Sequence, residues 1–406
     1  MRLKNREKKK RLPRALLFCG AALALCLLAA CGRSAEPESA EKVRVPVLFE
    51  EDGKTLPEPP EEESGPDRAI PETASFQEAG RLFWNGAEVT LFKRDGDGTA
   101  FAKASALASA AGGELREDAS GFTLEVGEES FFVSTLAGGF YRGKTRVGDP
   151  VTWKGELYLP ASPLIEASAL PRLDDGEDIY LTKAVKSADV PKGVRLPVLM
   201  YHAVSDDTWG INELFVKPAE MEKQLKYLVD HGYTTVTFED LDRIDSIKKP
   251  VMLTFDDGYK DNYEELFPLL QKYNCKATVF MISGKLAKTH YLTEEMLREM
   301  ADSGLVSIQS HTVSHPKLAE ITGEKLRAEL RDSRLEIARL TGRIPFVLCY
   351  PSGSYNGETR RVGAEYYSFG VRMNGGGYST SMDPFLIPRY YVSRATSLSS
   401  FASMIG

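Results

Sequence analysis

Thr254-Phe255-Asp256-Asp257-Gly258 closes an apolar run of Val251, Met252, Leu253 and Phe255 that begins after Pro250. The run reads as a buried strand. Desolvating a carboxylate is costly, so two adjacent aspartates at such a strand's end need a reason other than stability. A helix cap would use only one of them. A second cluster, His311-Thr312-Val313-Ser314-His315, starts 54 residues after Asp257, again behind an apolar segment (Leu305, Val306, Ile308). It holds two of the five histidines in 406 residues. One carboxylate and two imidazoles make a three-ligand set that leaves a metal ion open positions, which is the catalytic pattern. The other carboxylate is then free to act as a base.

Outward from these clusters, apolar extended runs recur at 196–202, 234–238, 250–257, 276–282, 306–312, 346–353, 368–373 and 386–392. Amphipathic stretches at 219–231, 261–273, 293–303 and 323–341 lie between several of them. The alternation predicts an α/β, barrel-like architecture. His202, Asp256-Asp257, His311 to His315 and Tyr350-Pro351-Ser352-Gly353 all fall at the C-terminal ends of their runs, where barrel enzymes gather functional residues. His231, before Gly232, reads as a residue facing a helix C-terminus. His290 is assigned no role.

TFDDG and HTVSH, in this order and spacing, resemble the first two motifs of the polysaccharide deacetylases, carbohydrate esterase family four. Phe346-Val347-Leu348-Cys349-Tyr350-Pro351-Ser352-Gly353 is similar to the family's third motif in its Tyr-Pro-x-Gly branch, and Val198-Leu199-Met200-Tyr201-His202 to that branch's start. The resemblance spans residues 194–406 and implies a distorted (β/α) barrel. It further implies that Asp257, His311 and His315 hold a divalent metal, zinc by its donor set, and that Asp256 is the general base. A backbone N–H at Ser352 would stabilise the oxyanion, and Tyr350, Pro351, Ser352 and Gly353 would line the substrate site. Two departures stand out. The family's late acid histidine is absent, since no histidine follows His315, so His202 is nominated as the general acid. Cys349 stands where many members have an arginine that orients the base; Arg389, also counted with the substrate residues, is the expected substitute.

The front of the chain carries a different message. Residues 1–14 hold eight bases and one acid, and an apolar stretch runs from Ala15 to Ala30, short of the roughly 20 residues a bilayer span needs. Leu28-Ala29-Ala30-Cys31 resembles a bacterial lipobox, which implies a signal over 1–30, lipid on Cys31 and an extracytoplasmic, membrane-anchored protein. Removing eight bases and one acid from totals of 51 and 58 leaves 43 and 57, a net charge of −14. Such a surface argues against nucleic acid as a partner. Cys275 and Cys349 alone remain, so no disulfide framework is expected. Residues 31–75, with Pro57-Glu58-Pro59-Pro60-Glu61-Glu62-Glu63, read as an extended tether.

Residues 76–185 predict a small strand-rich α+β domain, with strands near 88–92, 122–126 and 130–133. A repeat pairs residues 100–110 with 157–167, each an extended piece followed by a small-residue helical piece. The region resembles the N-terminal-like domain of copper amine oxidases, yet holds no His or Cys for a copper site. A spacer or wall-binding role is expected, with Trp84, Tyr141, Trp153 and Tyr158 read as core aromatics before sugar platforms. The whole chain therefore reads as a surface-anchored N-deacetylase of a GlcNAc-containing polysaccharide. An O-acetyl esterase and a non-catalytic wall-binding lipoprotein are the alternatives.

Overall fold

The computed structural model describes residues 70–406 except Ala74, Asp97 and Asn374. The basic leader, Cys31 and all but the last few residues of the acidic tether lie outside the described residues.

Eight parallel strands form the C-terminal half: β1 (Val198–Tyr201), β2 (Thr234–Val236), β3 (Pro250–Phe255), β4 (Ala277–Met281), β5 (Val306–Ser310), β6 (Val347–Cys349), β7 (Phe369–Val371) and β8 (Tyr390–Tyr391). Their order is β7-β6-β5-β4-β3-β1-β8, with β2 paired to the first half of β3. Helices α1 (Pro218–Asp230), α2 (Phe267–Tyr273), α3 (Glu294–Asp302), α4 (Gly323–Thr341), α5 (Gly357–Gly363) and α6 (Leu398–Ile405) accompany them. Every residue of β4 and β5 is buried, as parallel strands covered on both faces require. That is why their sequences read as continuous runs rather than alternating ones.

The distorted barrel expected from the sequence is an open one, a curled half-barrel. Its edge strands β7 and β8 do not pair; one bridge, Val371 to Ile387, links the two edges. Pro388 brings no N–H to a ladder there, and β8 is two residues long. Proline also shortens β6: the predicted run to 353 stops at Cys349, and Pro351–Gly353 form a tight turn. The predicted helix over 261–273 begins as a wide π turn, Asn262–Leu266, before α2, because Pro268 cannot donate into the preceding turn. His231 follows α1 as expected, with Nδ1 2.8 Å from the Tyr227 carbonyl.

Residues 77–181 build two further sheets. One has seven strands, and the other is a five-stranded antiparallel meander over Leu115–Gly148. Each copy of the internal repeat is a strand and a short helix: Ala100–Lys103 with Ala104–Ala110, and Glu156–Pro160 with Ser162–Ala167. Asn85-Gly86 turns the first hairpin with φ of 50° and 93°, the left-handed pair a tight two-residue loop demands. Trp84, Tyr141 and Tyr158 are buried, and Trp153 packs within 6 Å of Phe76, Phe92 and Tyr158, so these aromatics are core. Phe83 and Tyr180 stack 5.1 Å apart and pack on Ala338 and Ile344 beside the C-terminal end of α4, where Arg339 Nε donates to Asp175 at 2.9 Å.

One buried acid makes this half-barrel sensitive to pH. Asp261 is 5% exposed; Oδ1 accepts from the Val204 N–H (2.8 Å) and from Asn262 Nδ2 (2.9 Å), and Oδ2 has no hydrogen-bond partner among the described residues. Burial pushes this carboxyl up to about 6 from 3.8. A raised folded-state pKa gives stability that is complete below pH 3.8 and lost as pH rises through about 6. Asp261→Asn retains the acceptor oxygen and removes the ionisation. It should gain stability relative to the parent between pH 4 and pH 7, by up to about 3 kcal/mol in urea unfolding, at roughly 1.36 kcal/mol per pKa unit. An equal stability difference at both pH values would contradict the burial argument.

Candidate active site

The C-terminal ends of β1, β3, β5 and β6 deliver His202, Asp256-Asp257, His311 and the Tyr350–Gly353 turn to one rim. Strand alternation would point Asp256 and Asp257 to opposite faces. The chain avoids this by turning at Asp257 itself, whose φ is 74°, followed by Gly258 at 75°. Thr312 and His315 also take left-handed backbone (68° and 61°), bringing the second histidine back beside the first. Such conformations are costly for residues with a Cβ and persist where the surroundings enforce them.

Asp257 Oδ1 lies 3.6 Å from His311 Nε2 and 3.7 Å from His315 Nε2. His311 Nδ1 lies 2.9 Å from the Cys349 carbonyl oxygen, so it carries the ring proton and leaves Nε2 as a bare lone pair facing the carboxylate. Burial lowers the His311 pKa against the pull of Asp256 and Asp257, so the ring is neutral at neutral pH. Two donors at about 2.1 Å from one tetrahedral ion sit about 3.4 Å apart, close to the spacing seen here. The residues present therefore fit a divalent cation. Asp256, His311 and Cys349 form a second group whose ligand atoms also lie within 4.8 Å of one another. A guanidinium already occupies that group, which disfavours a cation.

Arg389 is the guanidinium. It is 1% exposed, and Asp256 is 3% exposed. Nη1 and Nη2 each donate to one Asp256 oxygen at 2.7 Å, a bidentate pair. The remaining donors reach Thr254 Oγ1 (3.0 Å), Cys349 Sγ (3.2 Å) and the Arg372 carbonyl (3.1 Å). Burial alone would raise the Asp256 carboxyl; Arg389, by charge and by hydrogen bonds, overrides it and holds it well below the usual carboxylate range. Cys349 thus contacts Arg389, the residue expected to stand in for the arginine missing at its position. Burial pushes the Cys349 thiol up, so it stays protonated.

His202 Nε2 is 4.0 Å from Asp256 Oδ2, and its buried Nδ1 has no partner among the described residues. Burial lowers its pKa against the pull of Asp256 and Asp257. These residues open on a cleft of about 550 Å³. Of the residues expected to touch substrate, only Ser352 lines that cleft, with φ 53°. Tyr350 is buried with its hydroxyl on the Phe385 carbonyl, Pro351 is buried, and Gly353 backs onto Met373. Arg389 faces Asp256 instead of the cleft. The cleft's other walls went unread in the sequence: Tyr259, Tyr291, Ile211, Leu214 and Met373. Tyr259 directly follows Gly258, an adjacency that could have flagged it. Ile211 precedes and Leu214 ends a single 3-10 turn, Asn212–Leu214, too short to show periodicity.

Removing Arg389 should leave Asp256 as an uncompensated buried charge. Arg389→Met should destabilise the fold by about 3–5 kcal/mol in urea unfolding at neutral pH. Asp256→Asn with Arg389→Met should recover part of that loss, because no charge is then left buried alone. A double variant no more stable than Arg389→Met would show that the pair is not what fixes Asp256.

Three comparisons bear on this geometry. Residues 243–368 match the family model for polysaccharide deacetylase. YxkH of Bacillus subtilis (strain 168), a protein assigned to the polysaccharide deacetylases, is 37% identical over 220 residues, covering 53% of this chain and 77% of that one. The poly-beta-1,6-N-acetyl-D-glucosamine N-deacetylase of Escherichia coli (strain K12) is 27% identical over 259 residues, covering 51% of this chain and 38% of that one. The crystal structure of the Bacillus cereus polysaccharide deacetylase BC0361 superposes with a TM-score of 0.50 at 29% identity, over 68% of this chain and 76% of that one. With more than a third of residues identical across three-quarters of a whole relative, the chain belongs to the polysaccharide deacetylase family.

Proposed function

We propose that this protein is a metal-dependent hydrolase that removes N-acetyl groups from a GlcNAc-containing cell-wall or extracellular polysaccharide. The single observation behind this reading is the convergence of Asp256 with Asp257, His311 and His315 in one cleft. The E. coli relative's name, an N-deacetylase of a poly-N-acetylglucosamine, supports the amide and the sugar. An intact set of ligands and base favours catalysis over mere wall binding. We assign residues 76–185 a spacer or wall-binding role, and Cys31 the lipid anchor.

A divalent cation, zinc by its donor set, would be held by Asp257, His311 and His315, and when bound it supplies Lewis-acid polarisation of the acyl oxygen and makes water more acidic. Asp256 accepts a proton from water as the water oxygen bonds to the acetyl carbon. Its depressed pKa keeps it ionised at working pH and makes it a poor resting place for that proton, which Arg389 helps drive onward. The Ser352 N–H is directed to the developing oxyanion. His202, neutral at rest because burial lowers its pKa and 4.0 Å from Asp256, takes up that proton from Asp256 and passes it to the leaving amine as the C–N bond breaks, and acetate departs.

A panel of variants separates the roles. His311→Ala should lose stoichiometric zinc and acetate release together. Asp256→Asn should keep zinc while acetate release falls by about 10²-fold or more. Zinc loss in Asp256→Asn would make it a ligand, and full zinc content in His311→Ala would end the ligand assignment. His202→Ala should retain zinc and lose far more activity on an N-acetyl substrate than on an activated ester, whose leaving group needs little protonation. Equal losses on the two would remove His202 as the acid. Cys31→Ser should move the protein out of the membrane fraction; unchanged retention would contradict lipidation.

A further inference from the structure

The loop from His311 to His315 carries two of the three candidate ligands, yet Thr312 and His315 hold left-handed backbone that neither residue prefers. Something outside the loop must hold it. Its carbonyl side is held by the turn after β4: the N–H groups of Ser283 and Gly284 donate to the carbonyls of Thr312 (3.1 Å) and Val313 (2.9 Å).

The N–H side is held by side chains. Four consecutive N–H groups, from Thr312 to His315, donate to side-chain oxygens. Thr312 N–H donates to Ser310 Oγ (3.3 Å) and His315 N–H to Thr312 Oγ1 (3.1 Å). The central two, of Val313 and Ser314, both donate to Glu329 Oε2 at 2.9 Å, while Ser314 Oγ donates to Glu329 Oε1 at 2.5 Å. Successive N–H groups in a left-handed turn form a concavity that attracts an anion. Here α4 inserts its own carboxylate. One helical turn further on, Ser333 Oγ meets Ser310 Oγ at 2.8 Å, so α4 grips both the start and the middle of the loop.

We infer that Glu329 is a positioning residue for the metal site: its carboxylate locks the left-handed loop that sets His315 against Asp257. The inference rests on the metal reading above. Glu329 touches neither Asp257 nor the imidazoles and acts through the loop backbone. Without it, two adjacent N–H groups lose their acceptor, and the loop can relax to a conformation in which His315 Nε2 leaves its place 3.7 Å from Asp257 Oδ1.

The test uses the full chain with Zn²⁺ and Co²⁺ alone as probes. Zn²⁺ affinity is measured by competition with a chromophoric chelator, Co²⁺ coordination by its visible absorption, and the metal-free protein's melting by circular dichroism. Glu329→Ala should weaken Zn²⁺ binding about 10–100-fold, the usual effect of losing a group that orients a ligand, and change the Co²⁺ spectrum. Glu329→Gln, nearly isosteric, retains one acceptor oxygen and should fall between Glu329→Ala and the parent, which keeps the test valid if Glu329→Ala fails to fold. Zn²⁺ affinity within about twofold of the parent in Glu329→Gln, with an unchanged Co²⁺ spectrum, would overturn the inference even if metal-free melting falls. A parent protein that binds no Zn²⁺ would instead overturn the metal reading, and this inference with it.

Discussion

The buried pair of Asp256 and Arg389 is the interaction on which the catalytic half turns. The half-barrel leaves β7 and β8 unpaired with each other, and one guanidinium spans that gap. Arg389, one residue before β8, reaches Thr254 and Asp256 on and after β3, Cys349 at the end of β6 and the Arg372 carbonyl after β7. Each of its donors is used within the protein, so a fully buried charge is tolerated where an unpaired one would not be. The same contact fixes both oxygens of the proposed base and keeps it ionised. Fold closure and the electrostatics of the site are therefore one device.

The second constraint is local. Four residues with a Cβ, Asp257, Thr312, His315 and Ser352, adopt left-handed backbone in or beside one cleft. Asp257 turns so that neighbouring carboxylates serve one pocket in different roles, one facing the imidazoles and the other the guanidinium. Thr312 and His315 turn so that a loop, in place of a helix, brings two imidazoles together. The strain is borne by packing around the rim, with hydrogen bonds from the β4 turn on one side and from α4 on the other. Because the end of α4 also receives Phe83, Tyr180 and Asp175, the seven-stranded sheet of residues 77–181 packs against the same helix that holds this loop.

Much of this was readable because strand ends are marked in sequence. A continuous apolar run broken by Asp256-Asp257, and another broken by His311, signal buried parallel strands delivering polar groups to a rim, and the structure brings those residues together with His202. The strand-then-helix repeat near 100 and 157 was readable for the same reason, since period and small-residue content change sharply there. Arg389 was expected both as a substitute for the missing arginine and as a substrate residue; the structure turns it onto Asp256, which sequence could not show because it gives a charge and not its direction. Tyr350 and Pro351, also expected to line the substrate site, lie buried in the turn that presents Ser352. The open barrel was hidden, since eight runs look alike whether or not the last one pairs. Glu329 carries no sequence signal, for on an amphipathic helix an outward acid is indistinguishable from a solvated one.

The central claim is that one divalent cation sits among Asp257, His311 and His315 while Arg389 keeps Asp256 out of the coordination shell. Anomalous diffraction at the zinc edge from crystals of the zinc-loaded protein tests it directly. The account predicts one strong peak about 2.0–2.2 Å from Asp257 Oδ1, His311 Nε2 and His315 Nε2, with the Asp256–Arg389 pair intact. A peak among Asp256, His311 and Cys349 with Arg389 displaced, or no peak at the cleft, would contradict it.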